Sequence, residues 1–345
     1  AGTYEDVLTL LRSEIEASDK IKSKQRNQAL KAVDTLLDTP EVYPMSGGEL
    51  WRPQNYDHEY RGSITIREAL RASRNVATVK LCNAVGPKRV VWYAKKMGIT
   101  TPLEPYLSIA MGTSDVKLID MVKAYCVFPN LGVLVEPMAV LKIVDRDGTV
   151  IEENTPTKQE VLSPSTAYVM TDMLRTVIDH GTGYPARLFG FDRPAGGKTG
   201  TTNEYSDAWF VGFTPQLCCG VQVGYDDYST PIGDNMTGAR AALPIWTKFM
   251  LQAHDGMVLR DFEIPTGKVV FVDVCKESHK LATNRCKQVV HEVFVAGTQP
   301  TDYCPPGFHS RSDRPAFDRS SPDRDDDDRP DLGGSRKSKK RRGGL

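Results

Sequence analysis

An α+β fold with an antiparallel sheet packed against a helical subdomain is predicted by the order of the structure signals. Capped and glycine-terminated helices dominate residues 65–180, a tight three-strand meander follows from residue 197, and one apolar helix closes the pattern. Residues 3–37 carry Val7, Leu8, Leu11, Ile15, Leu30, Val33 and Leu37 at a partly helical spacing, which predicts a surface helix or helical pair over residues 1–40. Pro40, Pro44 and Gly47-Gly48 end it. Thr65-Ile66-Arg67-Glu68 fits a capping box, in which hydroxyl and carboxylate satisfy each other's backbone amides, so a short helix begins there and leads into Ser73. Further helices are signalled at 75–85 before Gly86, 87–97 before Gly98 and 116–128 before Gly132, with Ser114 read as a cap. Segments 141–144 and 149–151 flank an Asp-Gly turn and predict a hairpin. Ser163-Pro164 starts a helix that runs to about Asp179 and stops at Gly181. Strands follow at 197–202, 208–213 and 217–224, then a helix over 242–253 that should pack on them.

The 345 residues suffice for about two ordinary domains, and 40% hydrophobic with 26% charged residues is a globular composition. Lys+Arg and Asp+Glu both total 44, so no overall field draws nucleic acid to the chain. No signal-peptide core and no long apolar run is present. Because residue 1 is Ala, the expectation is a processed chain or a fragment whose membrane anchor was lost with the preceding part. From Phe308 the chain turns to Arg, Asp, Ser, Pro, Gly and Lys, a disordered charged tail. The expected organisation is a helical segment 1–40, a main domain 41–274, a loop-rich extension 275–307 and the tail 308–345.

Seven cysteines are present. Cys82, Cys126, Cys218 and Cys219 read as packing residues. Cys275, Cys286 and Cys304 lie near His279 and His291, but without a Cys-x-x-Cys knuckle a Cys286–Cys304 disulfide is preferred over zinc, and no metal or cofactor is expected.

Ala195-Gly196-Gly197-Lys198-Thr199-Gly200-Thr201-Thr202 is the most informative segment. A phosphate loop needs glycine at position 192, where Asp192 stands, and a helix afterwards, where a strand is predicted. A Lys-Thr-Gly strand suits a different chemistry, because the Lys198 ammonium and the Thr199 and Thr201 hydroxyls can hold a carboxylate. Gly200 lets substrate lie along the strand, and a following amide can face an oxyanion. Ser73-Arg74-Asn75, between two helices, offers a proton relay and an amide hold.

Together with these, Trp51 to Asp57, Tyr60-Arg61-Gly62, Arg67 to Leu70, Met111-Gly112-Thr113-Ser114, Gly181-Thr182-Gly183, Asp207 to Pro215, Gly224 to Asp227, Ala241 to Trp246 and Gly297 to Cys304 resemble, in order, the transpeptidase domain of class A penicillin-binding proteins, relatives of the β-lactamases. The resemblance covers about residues 45–305. It implies a β-lactamase/transpeptidase-like fold and a D,D-transpeptidase that acylates itself on D-Ala-D-Ala stem peptides and is mimicked by penicillins. It assigns Ser73 and Asn75 to the family's second motif and Lys198, Thr199, Gly200 and Thr201 to the third. It also implies peptidoglycan and β-lactam ligands, cell-wall synthesis partners, and the extracytoplasmic face of a bacterial inner membrane or the periplasm.

The family's first motif, a nucleophilic Ser with Lys three residues on, belongs upstream of Ser73. None of Ser13, Ser18, Ser23, Ser46 and Ser63 has that lysine, and Ser114-Asp115-Val116-Lys117 lies on the wrong side. The expectation is a truncated or replaced nucleophile region and impaired acylation, or else a non-catalytic scaffold or peptidoglycan-binding module. A triad hydrolase lacks its Gly-x-Ser-x-Gly elbow, and a β-lactamase fits the C-terminal extension less well.

Overall fold

The computed structural model describes residues 31–309, apart from 46–47, 203–204 and 228; the N-terminal helix expected over residues 1–30 and the tail beyond His309 lie outside them. Within 31–40 the helical expectation is corrected, since Thr35–Asp38 form strand β1. So few apolar positions fit either period, and cross-strand pairing decides between them. β2 (Tyr43–Pro44), β3 (Leu50–Trp51) and β4 (Gly62–Thr65) follow, with β1 paired to β4 and β2 to β3.

The Thr65–Glu68 capping box forms as expected and starts α1 (Ile66–Arg71); α2 (Asn75–Val85), α3 (Pro87–Lys96) and α4 (Leu118–Cys126) complete the first helical group. Ser114 is not the cap of α4, because the helix begins after Lys117 and leaves Ser114 too far upstream to reach its first amides. β5 (Val133–Val135), β6 (Lys142–Val144), β7 (Val150–Glu153) and β8 (Lys158–Glu160) form two small antiparallel pairs, β5 with β8 and β6 with β7 across the expected hairpin. α5 (Pro164–His180) has Ser163 as N-cap, its hydroxyl accepting from the Thr166 amide at 3.2 Å. The short α6 (Pro185–Leu188) leads into β9 (Gly196–Thr201), β10 (Asp207–Phe213) and β11 (Cys218–Gly224), an antiparallel sheet in the order β11-β10-β9. After α7 (Ala242–Ala253), β12 (Val269–Cys275) and β13 (Val289–Val295) make a hairpin through the stretch expected to be loop-rich.

Side-chain alternation along β10 sets the layers. Val211 and Phe213 enter the large core with Tyr125 and Phe128 of the α4 region and Met170, Met173 and Leu174 of α5. Phe210 points the other way, into a second core with Leu243, Trp246 and Met250 of α7. The sheet therefore lies between α7 and the helical half. Arg67 of α1 fastens the β12–β13 hairpin to this body: its guanidinium donates to Glu292 of β13 through Nε at 2.8 Å and to Asp172 of α5 at 2.6 Å. Glu292 is only 2% exposed, so this ion pair is buried.

All seven cysteines are free, so the expected Cys286–Cys304 disulfide is corrected. Cys275 stands in the same cluster as those two thiols, where no single pairing satisfies all three. Cys82 is fully buried in the helical core and Cys218 packs against it, as expected of packing residues.

Candidate active site

The Ser73-Arg74-Asn75 turn owes its shape to the last turn of α1. The Ser73 amide donates to Leu70 O at 3.1 Å and the Arg74 amide to Ala69 O at 2.9 Å. This leaves Ser73 at φ 52°, in the left-handed region. Such a conformation costs a β-carbon-bearing residue about 1–3 kcal/mol and persists only where the surroundings over-determine it.

Here a buried polar network supplies the constraint. Arg74, 3% exposed, donates from Nε to Asp38 Oδ2 at 2.9 Å, from Nη1 to Asp57 Oδ2 at 2.5 Å, and also to the Glu59 carbonyl. Asn55 completes it: its amide donates to Asp38 Oδ1 at 2.8 Å, and its own oxygen accepts from the Val76 amide at 3.1 Å, at the start of α2. Burial alone pushes the Asp57 carboxyl up. The Arg74 hydrogen bond and charge, with the Glu59 amide and Arg61, outweigh it and hold Asp57 below the ordinary range.

Lys198 comes to this turn from the sheet. It pairs with Val211 in the β9–β10 register, on the face that meets the helical half, and is 2% exposed. Its Nζ donates to Ser73 Oγ at 2.7 Å and to Thr199 O at 3.0 Å. Two of the motifs picked out of the sequence, 125 residues apart, thus meet through a direct hydrogen bond. Asn75 opens α2 beside them, its amide donating to Gln54 O at 3.0 Å.

Thr199 shares a hydroxyl hydrogen bond of 2.9 Å with Thr182, a contact that no signal in the sequence assigns. Thr182 sits there because Gly181 packs against α1: a β-carbon at Gly181 would lie 2.5 Å from Arg71 O. Thr201 Oγ1 accepts from the Gly238 amide at 3.0 Å, and a β-carbon at Gly238 would lie 2.3 Å from Trp209 O, so this approach also needs glycine. Tyr56 and Tyr205 bridge the segment before α1 to the β9–β10 turn through hydroxyls 2.5 Å apart. Burial, with the Tyr205 hydrogen bond, pushes the Tyr56 phenol up to about 12. Among the described residues no strand pairs with the outer edge of β9, whose Gly196–Gly200 are buried and whose Thr201 is half-buried.

The family model for the penicillin-binding protein transpeptidase domain matches residues 26–218, and that for the C-terminal domain of penicillin-binding protein 1A matches residues 265–306. The chain belongs to the penicillin-binding protein transpeptidase family. It is 43% identical over 262 residues to penicillin-binding protein 1A of Aquifex aeolicus, covering 76% of this chain and 35% of the relative. Against penicillin-binding protein 1A of Clostridium tetani it is 34% identical over 292 residues, covering 79% of this chain and 37% of the relative. The chain spans about a third of the length of these relatives.

The crystal structure of penicillin-binding protein 1A from Haemophilus influenzae superposes with a TM-score of 0.78 at 23% identity, covering 88% of this chain and 48% of that one. PonA1 of Mycobacterium tuberculosis, in complex with penicillin V, superposes with 0.64 at 24% identity, covering 77% and 72%. The fold is therefore the β-lactamase/transpeptidase fold of penicillin-binding proteins. In this member, no serine of residues 1–72 has a lysine three positions later. No described helix is long and apolar enough to cross a membrane.

Proposed function

We propose that this chain supplies the substrate-gripping half of a peptidoglycan D,D-transpeptidase site, the part that holds the D-Ala-D-Ala end of a stem peptide. The observation that carries it is the 2.7 Å contact of Lys198 Nζ with Ser73 Oγ beside the edge of β9 that no described strand pairs with. In this role the Lys198 ammonium and the Thr199 and Thr201 hydroxyls hold the terminal carboxylate, and the peptide lies along β9 at Gly200. The Thr201 amide faces the oxyanion, while Asn75 holds a substrate amide. Ser73, hydrogen-bonded by Lys198, serves as the proton relay of such a site, and the D-alanine amine leaves only when a nucleophile from outside residues 1–345 bonds to the carbonyl carbon. A β-lactam presents its own carboxylate to the same donors, and PonA1, which shares the fold, is in complex with penicillin V.

In the family the acylated serine is the one with a lysine three residues on, and Ser73 belongs to the second motif instead. With no Ser-x-x-Lys upstream of Ser73, residues 1–345 bind β-lactams without stoichiometric acylation. The working site is the extracytoplasmic face of the bacterial inner membrane or the periplasm, among cell-wall synthesis partners. A non-catalytic peptidoglycan-binding module is the second possibility, favoured by that same lack of a nucleophile.

Incubating the purified chain with a fluorescent penicillin, followed by electrophoresis and intact-mass measurement, tests the proposal. Expected is no stoichiometric adduct. A covalent label mapped to any serine of the chain, Ser73 included, overturns the non-acylating assignment.

A further inference from the structure

Outside the active site, the C-terminal hairpin gathers three thiols and an imidazole from three separate stretches of chain. Cys275 ends β12, Cys286 sits in the β12–β13 connection, Cys304 follows β13, and His309 comes after the Pro305-Pro306 turn. Their ligand atoms, the three Sγ and one imidazole nitrogen, lie within 4.8 Å of one another. His309 Nε2 is 3.5 Å from Cys275 Sγ and 3.3 Å from Cys304 Sγ. Around a tetrahedral zinc, with Zn–S about 2.3 Å and Zn–N about 2.0–2.1 Å, sulfur and nitrogen ligands stand about 3.5 Å apart. The observed separations are those of a ligand shell.

The surroundings support the same occupant. His309 Nδ1 faces Glu277 Oε2 at 3.3 Å, which fixes the ring so that Nε2 points at the thiols, the carboxylate–histidine arrangement common behind metal-bound imidazoles. Cys286 Sγ accepts from the Thr283 amide at 3.3 Å, a hydrogen bond suited to a thiolate. Cys275 and Cys304 are buried, at 0% and 3% exposure, and Cys286 and His309 are half-buried. Bridges from Leu281 to Val274 and to Tyr303 hold the contributing strands together.

We propose that Cys275, Cys286, Cys304 and His309 form a structural Zn²⁺ site that clamps the loop after β12 and the chain after β13 onto the hairpin. Three sulfurs and one nitrogen in tetrahedral reach select zinc among the common divalent ions, and four protein ligands leave no open position for catalysis. On binding, the three thiols give up their protons to solvent.

The test uses the whole chain, purified reduced and without added chelator. Elemental analysis should find about one zinc per chain, and exchange with Co²⁺ should give thiolate-to-cobalt charge-transfer bands with the strong visible bands of a tetrahedral site. Chelation should expose three further thiols to a thiol reagent, one for each cysteine ligand. Cys304→Ser and His309→Ala should lose the cobalt spectrum. Glu277→Gln, which keeps every ligand and should fold, should weaken Co²⁺ binding about 10–100-fold. The proposal is overturned by a reduced chain that holds no zinc and gives no cobalt bands, by a native Cys286–Cys304 disulfide in non-reducing peptide maps, or by undiminished metal in the Cys304→Ser and His309→Ala chains.

Discussion

The Ser73 turn and the β12–β13 hairpin are each tied to the helical half by one arginine, buried Arg74 and half-buried Arg67, yet they differ in what lies beneath. Arg74 works at the edge of a deep core, where Val76, Ala77 and Val79 of α2 have no exposed surface. Arg67 reaches Glu292 on a hairpin that puts only Val269 and Val293 into the large core, and whose own small cluster is Val274 and Phe294 with Val33. Burial of apolar area is the main favourable term in folding. The turn can therefore use its polar network to hold Ser73 in an unfavourable conformation, whereas the hairpin, with fewer residues in the core, relies more on Arg67 and, on our proposal, a metal to stay docked.

Arg67→Met sharpens that contrast most. It leaves Glu292 buried without its cation and should destabilise by about 3–5 kcal/mol in denaturant unfolding. Amide exchange should quicken in β12–β13 before β9–β10; equal quickening in both would show that the hairpin has no separate weakness. Gly181→Ala comes next. The new methyl meets Arg71 O and should cost about 1–3 kcal/mol. Because the shift moves Thr182 away from Thr199, stabilisation by a β-lactam should fall with it, and a variant that melts earlier but keeps the full ligand effect would separate Thr182 from the site.

A smaller effect is expected at Asp57, whose carboxyl is held below its ordinary pKa. A depressed carboxylate contributes stability above its unfolded pKa of about 3.9 and loses it as pH falls through the lower folded value. Asp57 is 38% exposed on its side chain, so screening limits the contribution to about 1 kcal/mol or less. Melting curves of wild type and Asp57→Asn should differ at neutral pH and converge as pH falls through the lowered folded value. A gap that persists in acid would assign the effect to packing. The smallest change is Tyr43→Phe: this buried hydroxyl has no hydrogen-bond partner among the described residues, so its removal should leave stability unchanged or slightly raised. A clear loss would mean that a water or a neighbour satisfies it.

Much of this architecture was legible because its signals are local. The Thr65–Glu68 box, the Ser163-Pro164 start and the glycine stops after Val85 and His180 fixed helix ends, and the short turns fixed the β9–β11 meander. The Lys198 and Ser73 motifs were legible as residue types; their contact was not, since it depends on the β9 register and on the strained turn. β1 was hidden because its partner β4 supplies the pairing from across a loop. The thiol–imidazole cluster was hidden twice over: Cys275 and Cys286 lie far in sequence from the Cys304–His309 pair, and His309 stands at the border of a charged tail, while the nearer His291 faces Asp273 at 2.9 Å instead.

The most direct measurement is the thermal shift produced by saturating β-lactam on the wild-type chain, Lys198→Ala and Ser73→Ala. If the β9 edge grips a carboxylate through the Lys198–Ser73 pair, the wild type should be stabilised by about 2.7 kcal/mol at a hundredfold excess over Kd, and both variants should lose most of that gain while remaining folded. An equal shift in all three chains would place the ligand elsewhere and contradict the assignment.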